Sequence, residues 1–258
     1  MQHGAITSYI DVAQVALYAF FAFFAGLIYY LRREDKREGY PLESDRSRSI
    51  TVQGFPAIPS PKIFRLPHGG TRSAPRVEAP RGPLQAVLVS GWPGAPLAPI
   101  GDPMTSGVGP GSYALRAEEP DLTIDGVPKI VPISGAREFT LEARDPDPRG
   151  MPVVGADGAL GGLVRDIWID RSEVLIRYLE VETPTASGAR RVLLPMTFAK
   201  VDGRRHRVMV KSITGAQFAG VPGLQKPDRV TFREEDQISA YYGGGTLYAT
   251  PARAEPML

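Results

Sequence analysis

The chain has 258 residues, with 30 Lys and Arg set against 28 Asp and Glu, a formal charge of +2. That near balance, with no dense basic stripe in the later part of the chain, argues against nucleic acid as a partner. Cysteine is absent, which excludes disulfides, thiolate metal sites and cysteine nucleophiles; the three histidines, His3, His68 and His206, are too scattered to predict a histidine-rich metal cluster.

Residues 1–11 carry no Lys or Arg, and the run from Val12 to Leu31 holds no charge and one amide, Gln14. At 1.5 Å per residue a helix over 12–31 matches the roughly 30 Å hydrocarbon core of a bilayer. Nothing later in the chain is apolar over a comparable length, so a single span is expected. Arg32, Arg33, Lys36 and Arg37 follow at once. By the positive-inside rule the short N-terminus is then outside and the rest cytoplasmic. A cleavable signal peptide fits poorly, because the charged leader is missing and the apolar run is too long. Tyr29 and Tyr30 stand where an aromatic belt meets headgroups, with Tyr30, Arg32 and Arg33 as lipid or interface contacts. Ala22 and Gly26, four apart, allow another backbone to approach one face.

From residue 32 to about 105 prolines recur at a density that forbids long helices and demotes strands to edges. Apolar islands survive at Lys62–Leu66 and Gln85–Ser90, with Phe55 and Trp92. An extended segment supported by another surface is expected, rather than a free linker. Residues 106–258 read as a globular, mainly antiparallel β domain. Short Val- and Ile-rich strands fall at 129–133, 162–170, 174–181, 190–195 and 207–211, with turn dipeptides at Asp157-Gly158 and Asp202-Gly203. Their spacing suggests a small barrel. A short C-terminal helix is expected over 234–242, opened by acidic residues and ended by Gly243-Gly244-Gly245.

No nucleophile elbow, zincin motif or phosphate loop occurs, and Gly107-Val108-Gly109-Pro110-Gly111 reads as a turn. The chemistry points to an accessory subunit, not an enzyme.

Several strings then occur in order: Gly26-Leu-Ile-Tyr-Tyr-Leu31, Arg37-Glu-Gly-Tyr-Pro-Leu42, Leu66-Pro-His-Gly69, Gly101-Asp-Pro-Met104, Val108-Gly-Pro-Gly-Ser112, Asp166-Ile-Trp-Ile-Asp170, Glu234-Glu-Asp236 and Tyr248-Ala-Thr-Pro251. Over essentially its full length the chain resembles the H subunit of the photosynthetic reaction centre of purple bacteria, and residues 150–240 resemble a PRC-barrel. The resemblance implies a pigment-free cap on the cytoplasmic faces of the L and M subunits, within reach of the surrounding antenna and membrane lipids. No cofactor and no metal would be bound by this chain itself; bacteriochlorophyll, bacteriopheophytin, quinones and non-haem iron would sit in the partners. The cap would shield the quinones and help protons reach the secondary quinone.

The family's proton-path glutamate falls on Glu173, with Asp170 and Arg177 as its charged neighbours. Some relatives carry histidines after an Asp-Gly pair; here Asp125-Gly126 is followed by Val127-Pro128. Proton entry would then rest on carboxylates such as Asp121 and Asp125, without a surface Zn²⁺ site. The other reading of the same layout is a membrane-tethered PRC-barrel adaptor for a different partner.

Overall fold

The computed structural model describes residues 6–7, 11–43, 51–75, 84–92, 94–186 and 188–254. It divides into two compact units, Met1–Arg81 and Gly82–Leu258.

The first unit begins with helix α1, Val12–Asp35. Asp11 caps it, accepting from the Gln14 backbone N–H at 2.7 Å, and the Gln14 amide donates to the Tyr18 hydroxyl at 2.8 Å. The one polar side chain of the apolar run is thus satisfied within the helix, as a lipid environment requires. α1 is long and apolar enough to cross a membrane, and it buries none of its residues within the chain. It runs four residues past Leu31, because Arg32–Asp35 continue the helix after hydropathy has fallen.

Two of the four basic residues after the apolar run, Lys36 and Arg37, serve as clamps. Lys36, nearly inaccessible, donates to the Gln53 carbonyl at 2.5 Å and lies over the Tyr40 ring. Arg37 donates to the Ser60 and Ala74 carbonyls and pairs with Glu34 at 2.9 Å. Lys62 also pairs with Glu34 and sits over the Tyr30 ring. The proline-rich stretch folds as minimal antiparallel pairs: β1 (Leu42–Glu43) with β2 (Thr51–Val52), and β3 (Lys62–Arg65) with β4 (Thr71–Ala74). Each is too short to bury its own core, so these carbonyl clamps tie the segment to the helix end.

The second unit opens with the hairpin of β5 (Ala86–Leu88) and β6 (Leu97–Pro99). The two apolar islands of the proline-rich region are therefore strands, β3 and β5. The core is a curled, half-barrel sheet of seven strands. These are β7 (Ile130–Pro132), β8 (Pro152–Val154), β9 (Leu160–Asp170), β10 (Leu175–Thr185), β11 (Gly188–Pro195), β12 (Ala199–Asp202) and β13 (Arg207–Val210). Their order is β11-β10-β9-β8-β13-β12, and the eleven-residue β9 is long enough to pair with β8 along its first half and β7 along its last. All pairings are antiparallel except β8 with β13. Register shifts at Ile176/Tyr178 and Glu180/Val181 mark one bulge in β10, at Arg177, and one in β9, at Arg165, consistent with the curl.

Ile167, Trp168, Leu179, Val181, Leu193, Leu194 and Val208 fill the core. Trp168 is fully buried, and its indole N–H donates to Glu180 at 3.0 Å, whose other oxygen accepts from Arg191 at 2.8 Å.

Helix α2, Phe232–Tyr248, closes the unit. Thr231 and Glu234 form a reciprocal capping box. The helix runs through Gly243–Gly245 instead of stopping there. The glycines form its contact face: a Cβ on Gly245 would lie 2.4 Å from Ile213 Cγ2 and 2.6 Å from the Ser212 carbonyl, and one on Gly244 would lie 3.3 Å from Gly111 Cα. Glycine is used here for backbone approach, which outweighs its poor helix propensity.

Candidate functional site

The turn from β9 into β10 brings together three of the charged residues singled out by the sequence, Asp170, Glu173 and Asp121. Asp170 ends β9 with its side chain buried at 1 % exposure; its Oδ1 accepts from the backbone N–H of Ser172 and of Glu173, each at 2.9 Å. The Val174 N–H closes the turn on the Asp170 carbonyl at 2.9 Å, which places β-branched Val174 at φ 54, a conformation such residues rarely adopt. The turn holds Glu173 outward, half exposed.

Lys129, which sequence reasoning left unassigned, is the hub. Its ammonium lies 3.1 Å from Glu173 Oε1, 3.2 Å from Asp170 Oδ2 and 3.8 Å from Asp121 Oδ2. Its backbone is pinned as well, the Lys129 N–H donating to the Asp121 carbonyl and the Arg171 N–H to the Lys129 carbonyl. The Glu173 hydrogen bond and then Asp170 raise the Lys129 pKa against the opposing effect of burial, so its charge is firmly held. One cation thus serves three carboxylates drawn from two distant stretches of chain.

Asp125 falls outside this cluster. It stands at the exposed tip of the 121–129 loop, where the Thr123 N–H donates to the Val127 carbonyl and the Gly126 N–H to the Thr123 carbonyl. Arg177 lies on β10 at the bulge between Ile176 and Tyr178, exposed, and its charge acts on a second acidic group, Glu235.

Glu235 was also missed by sequence reasoning. It sits in the first turn of α2 and accepts from the Tyr178 hydroxyl at 2.9 Å. Burial raises its pKa above the ordinary carboxylate value; the Tyr178 hydrogen bond, Arg177 and Arg116 pull it down, and Asp121 pushes it up. The Asp121 carboxylate therefore influences both halves of the site, through contact with Lys129 and through its field at Glu235. Burial and Glu235 push the Tyr178 phenol far above its usual range, so it acts as a fixed donor. A cleft of about 210 Å³ lined by Arg177, Tyr178, Met196, Thr197 and Ser239 opens beside the pair. Arg116 flanks the same helix start, stacked on Phe232 and 3.3 Å from Asp236.

A signal for Glu235 was present: in Thr231-x-x-Glu234 the first of two adjacent acids completes the capping box, leaving its neighbour Glu235 free for another role. Nothing local marks Lys129, whose partners are remote in sequence.

Tyr30, Arg32 and Arg33 lie in the first unit on the last turns of α1, all exposed, with Tyr30 beneath the Lys62 ammonium. Among the described residues no group of three or more His, Cys, Asp or Glu is arranged to hold a metal ion.

Residues 4–135 match the family model described as the photosynthetic reaction centre, H-chain N-terminal region, and residues 142–217 match the PRC-barrel domain. The second match covers β8–β13, the greater part of the curled sheet, and the first covers α1, the hairpin segment and the loop bearing Asp121 and Lys129. With an apolar helix near its N-terminus and the two matches in tandem, the chain belongs to the reaction-centre H-chain family and is a membrane-anchored subunit that associates with the other reaction-centre subunits.

Proposed function

We propose that this chain is a non-catalytic cap on the cytoplasmic faces of the L and M subunits, shielding the quinones and passing protons from the cytoplasm to the secondary quinone. Its N-terminus is then periplasmic and its two later portions cytoplasmic, in keeping with the four basic residues after the apolar run. Pigments, quinones and iron belong to the partners.

The observation that carries the reading is the acidic cluster around Lys129 with Glu235 beside it. A quinone that takes two electrons must collect two protons while buried. Groups that pass them on need proton affinities close to one another, and a field that keeps them from being locked in one state. Glu173 stands at the accessible edge of the cluster, Asp170 orients its turn, and the Lys129 charge offsets the repulsion among three acids. Glu235, whose proton affinity is raised by burial, is suited to hold a proton farther in, steered by Arg177 and oriented by Tyr178. Asp121 couples the two, and Asp125 offers a first carboxylate to solvent. Tyr30, Arg32 and Arg33 contact lipid headgroups where α1 leaves the bilayer.

The test is Glu173→Gln in the intact complex. The amide keeps the size of the side chain and removes its titration, so the second, proton-coupled electron transfer to the secondary quinone slows by tenfold or more while the first is little changed. Unchanged flash-induced kinetics would remove Glu173 from the path.

A further inference from the structure

Phe55 is among the most exposed large apolar side chains in the described chain, at 83 %. Exposed aromatics are common, but this one is fixed in an unusual place. Its ring packs beside that of Tyr29, centroids 6.0 Å apart, and Tyr29 belongs to α1. Tyr29 lies six residues before Asp35, roughly 9 Å along the axis from the helix end. A ring in contact with it shares its depth, near the boundary between hydrocarbon and headgroups when α1 spans the bilayer.

The chain around Phe55 is built to hold it there. Lys36 donates to the Gln53 carbonyl, and Gly54 turns the backbone at φ 65, a conformation that favours glycine. Pro56 and Pro59 follow, both buried, so those positions bring no N–H that would go unpaired near lipid. Phe55 turns outward, while Lys36 and Arg37 follow the end of α1. An apolar ring without a polar tip, carried inward past a belt of cations on a clamped turn, matches an interfacial membrane contact.

We infer that the 53–56 turn is a second membrane contact of this chain, with Phe55 inserted into lipid at the level of Tyr29. The inference rests on α1 spanning the bilayer. It adds a site that helix length and flanking charge do not reveal, and it commits the occupant to lipid rather than a protein neighbour.

The chain has no cysteine, so single nitroxide labels can be placed cleanly. Labels at Phe21→Cys, Tyr29→Cys, Phe55→Cys and Ile124→Cys are compared in the full chain, assembled with its reaction-centre partners in phosphatidylcholine–phosphatidylglycerol bilayers. Collision with oxygen, which concentrates in lipid, is measured against collision with a water-soluble nickel chelate. The expected result is that 55 and 29 share one depth to within a helical turn, with 21 deeper and 124 in water. A label at 55 that reads water, or one shielded from both agents as by protein, overturns the inference. Should 21 itself read water, the span fails and the inference falls with it, so the two failures are distinguishable. Because the label replaces the ring, 4-fluorophenylalanine at 55 is the second measurement. Its fluorine line is expected to broaden with oxygen and not with the chelate; the opposite response overturns the inference.

Discussion

Replacing Gly245 by Ala sets two effects of opposite sign against each other. Ala is the better helix former by about 1 kcal/mol, so propensity alone predicts a more stable protein. The added methyl would stand 2.4 Å from Ile213 Cγ2 and 2.6 Å from the Ser212 carbonyl, both well inside contact distance. Ile213 is completely buried, and the Arg253 guanidinium already holds the Ser212 and Gly245 carbonyls, at 2.7 and 2.8 Å. Neither neighbour can step aside without moving the core or the end of β13. Overpacking of this kind costs about 1–3 kcal/mol, more when backbone is the obstacle. The clash therefore wins, by about 1–2 kcal/mol net, or a fall in Tm of roughly 2–8 °C for a unit of this size. Gly244→Ala is the internal control. It has the same propensity gain one position earlier, and its nearest obstacle is Gly111 Cα at 3.3 Å, so it should be near neutral. Thermal unfolding of the full chain in detergent, followed by near-ultraviolet circular dichroism, gives both values. Equal stabilisation by the two substitutions would refute the account of α2 as a helix docked through its glycines.

Glu235→Gln should flatten part of the pH dependence of stability. Burial raises the folded-state pKa of Glu235, so between the ordinary glutamate value and that raised value the folded chain keeps a proton that the unfolded chain has lost. Stability then falls as pH rises through that window. Urea unfolding at pH 4.5 and pH 7.5 should show the variant gaining relative to the parent at the higher pH. Lys129→Met leaves buried Asp170 with its backbone donors but without its nearest cation, and should cost about 3 kcal/mol by the same unfolding assay. Thr231→Ala removes the side-chain half of the capping box and should lower stability by about 1 kcal/mol, with greater amide exchange in the first turn of α2.

Five of the seven strands of the curled sheet were legible because each is a local run of β-branched residues between turn signals, and β9 and β10 were located to within a few residues; the short β8 and β12 were not foreseen. The membrane helix was legible from hydropathy alone, apart from its polar last turn. Two things were hidden. Gly243–Gly245 reads as a stop when only the helix is considered, yet the close approach of α2 to Ser212 and Ile213 requires glycine at Gly245. The site was half visible: Asp170 and Glu173 lie together in sequence, whereas Lys129 and Glu235 reach it through the pairing of β7 with β9 and the placement of α2 against Tyr178. Lys129 carries no local signature, because fold topology creates its partnership.

The aromatic packing of α2 bears on how the chain matures. Tyr242 packs on Phe198 and Phe218, and Ile238 and Tyr242 are wholly enclosed, so the sheet lacks part of its interior until α2 docks. During synthesis α1 emerges first, and α2 follows every strand of the described sheet. The nascent chain can therefore be tethered to the bilayer while its half-finished sheet still exposes sticky surface. Tethering would keep that intermediate in two dimensions beside the subunits it is destined to join, turning a folding liability into a means of meeting them.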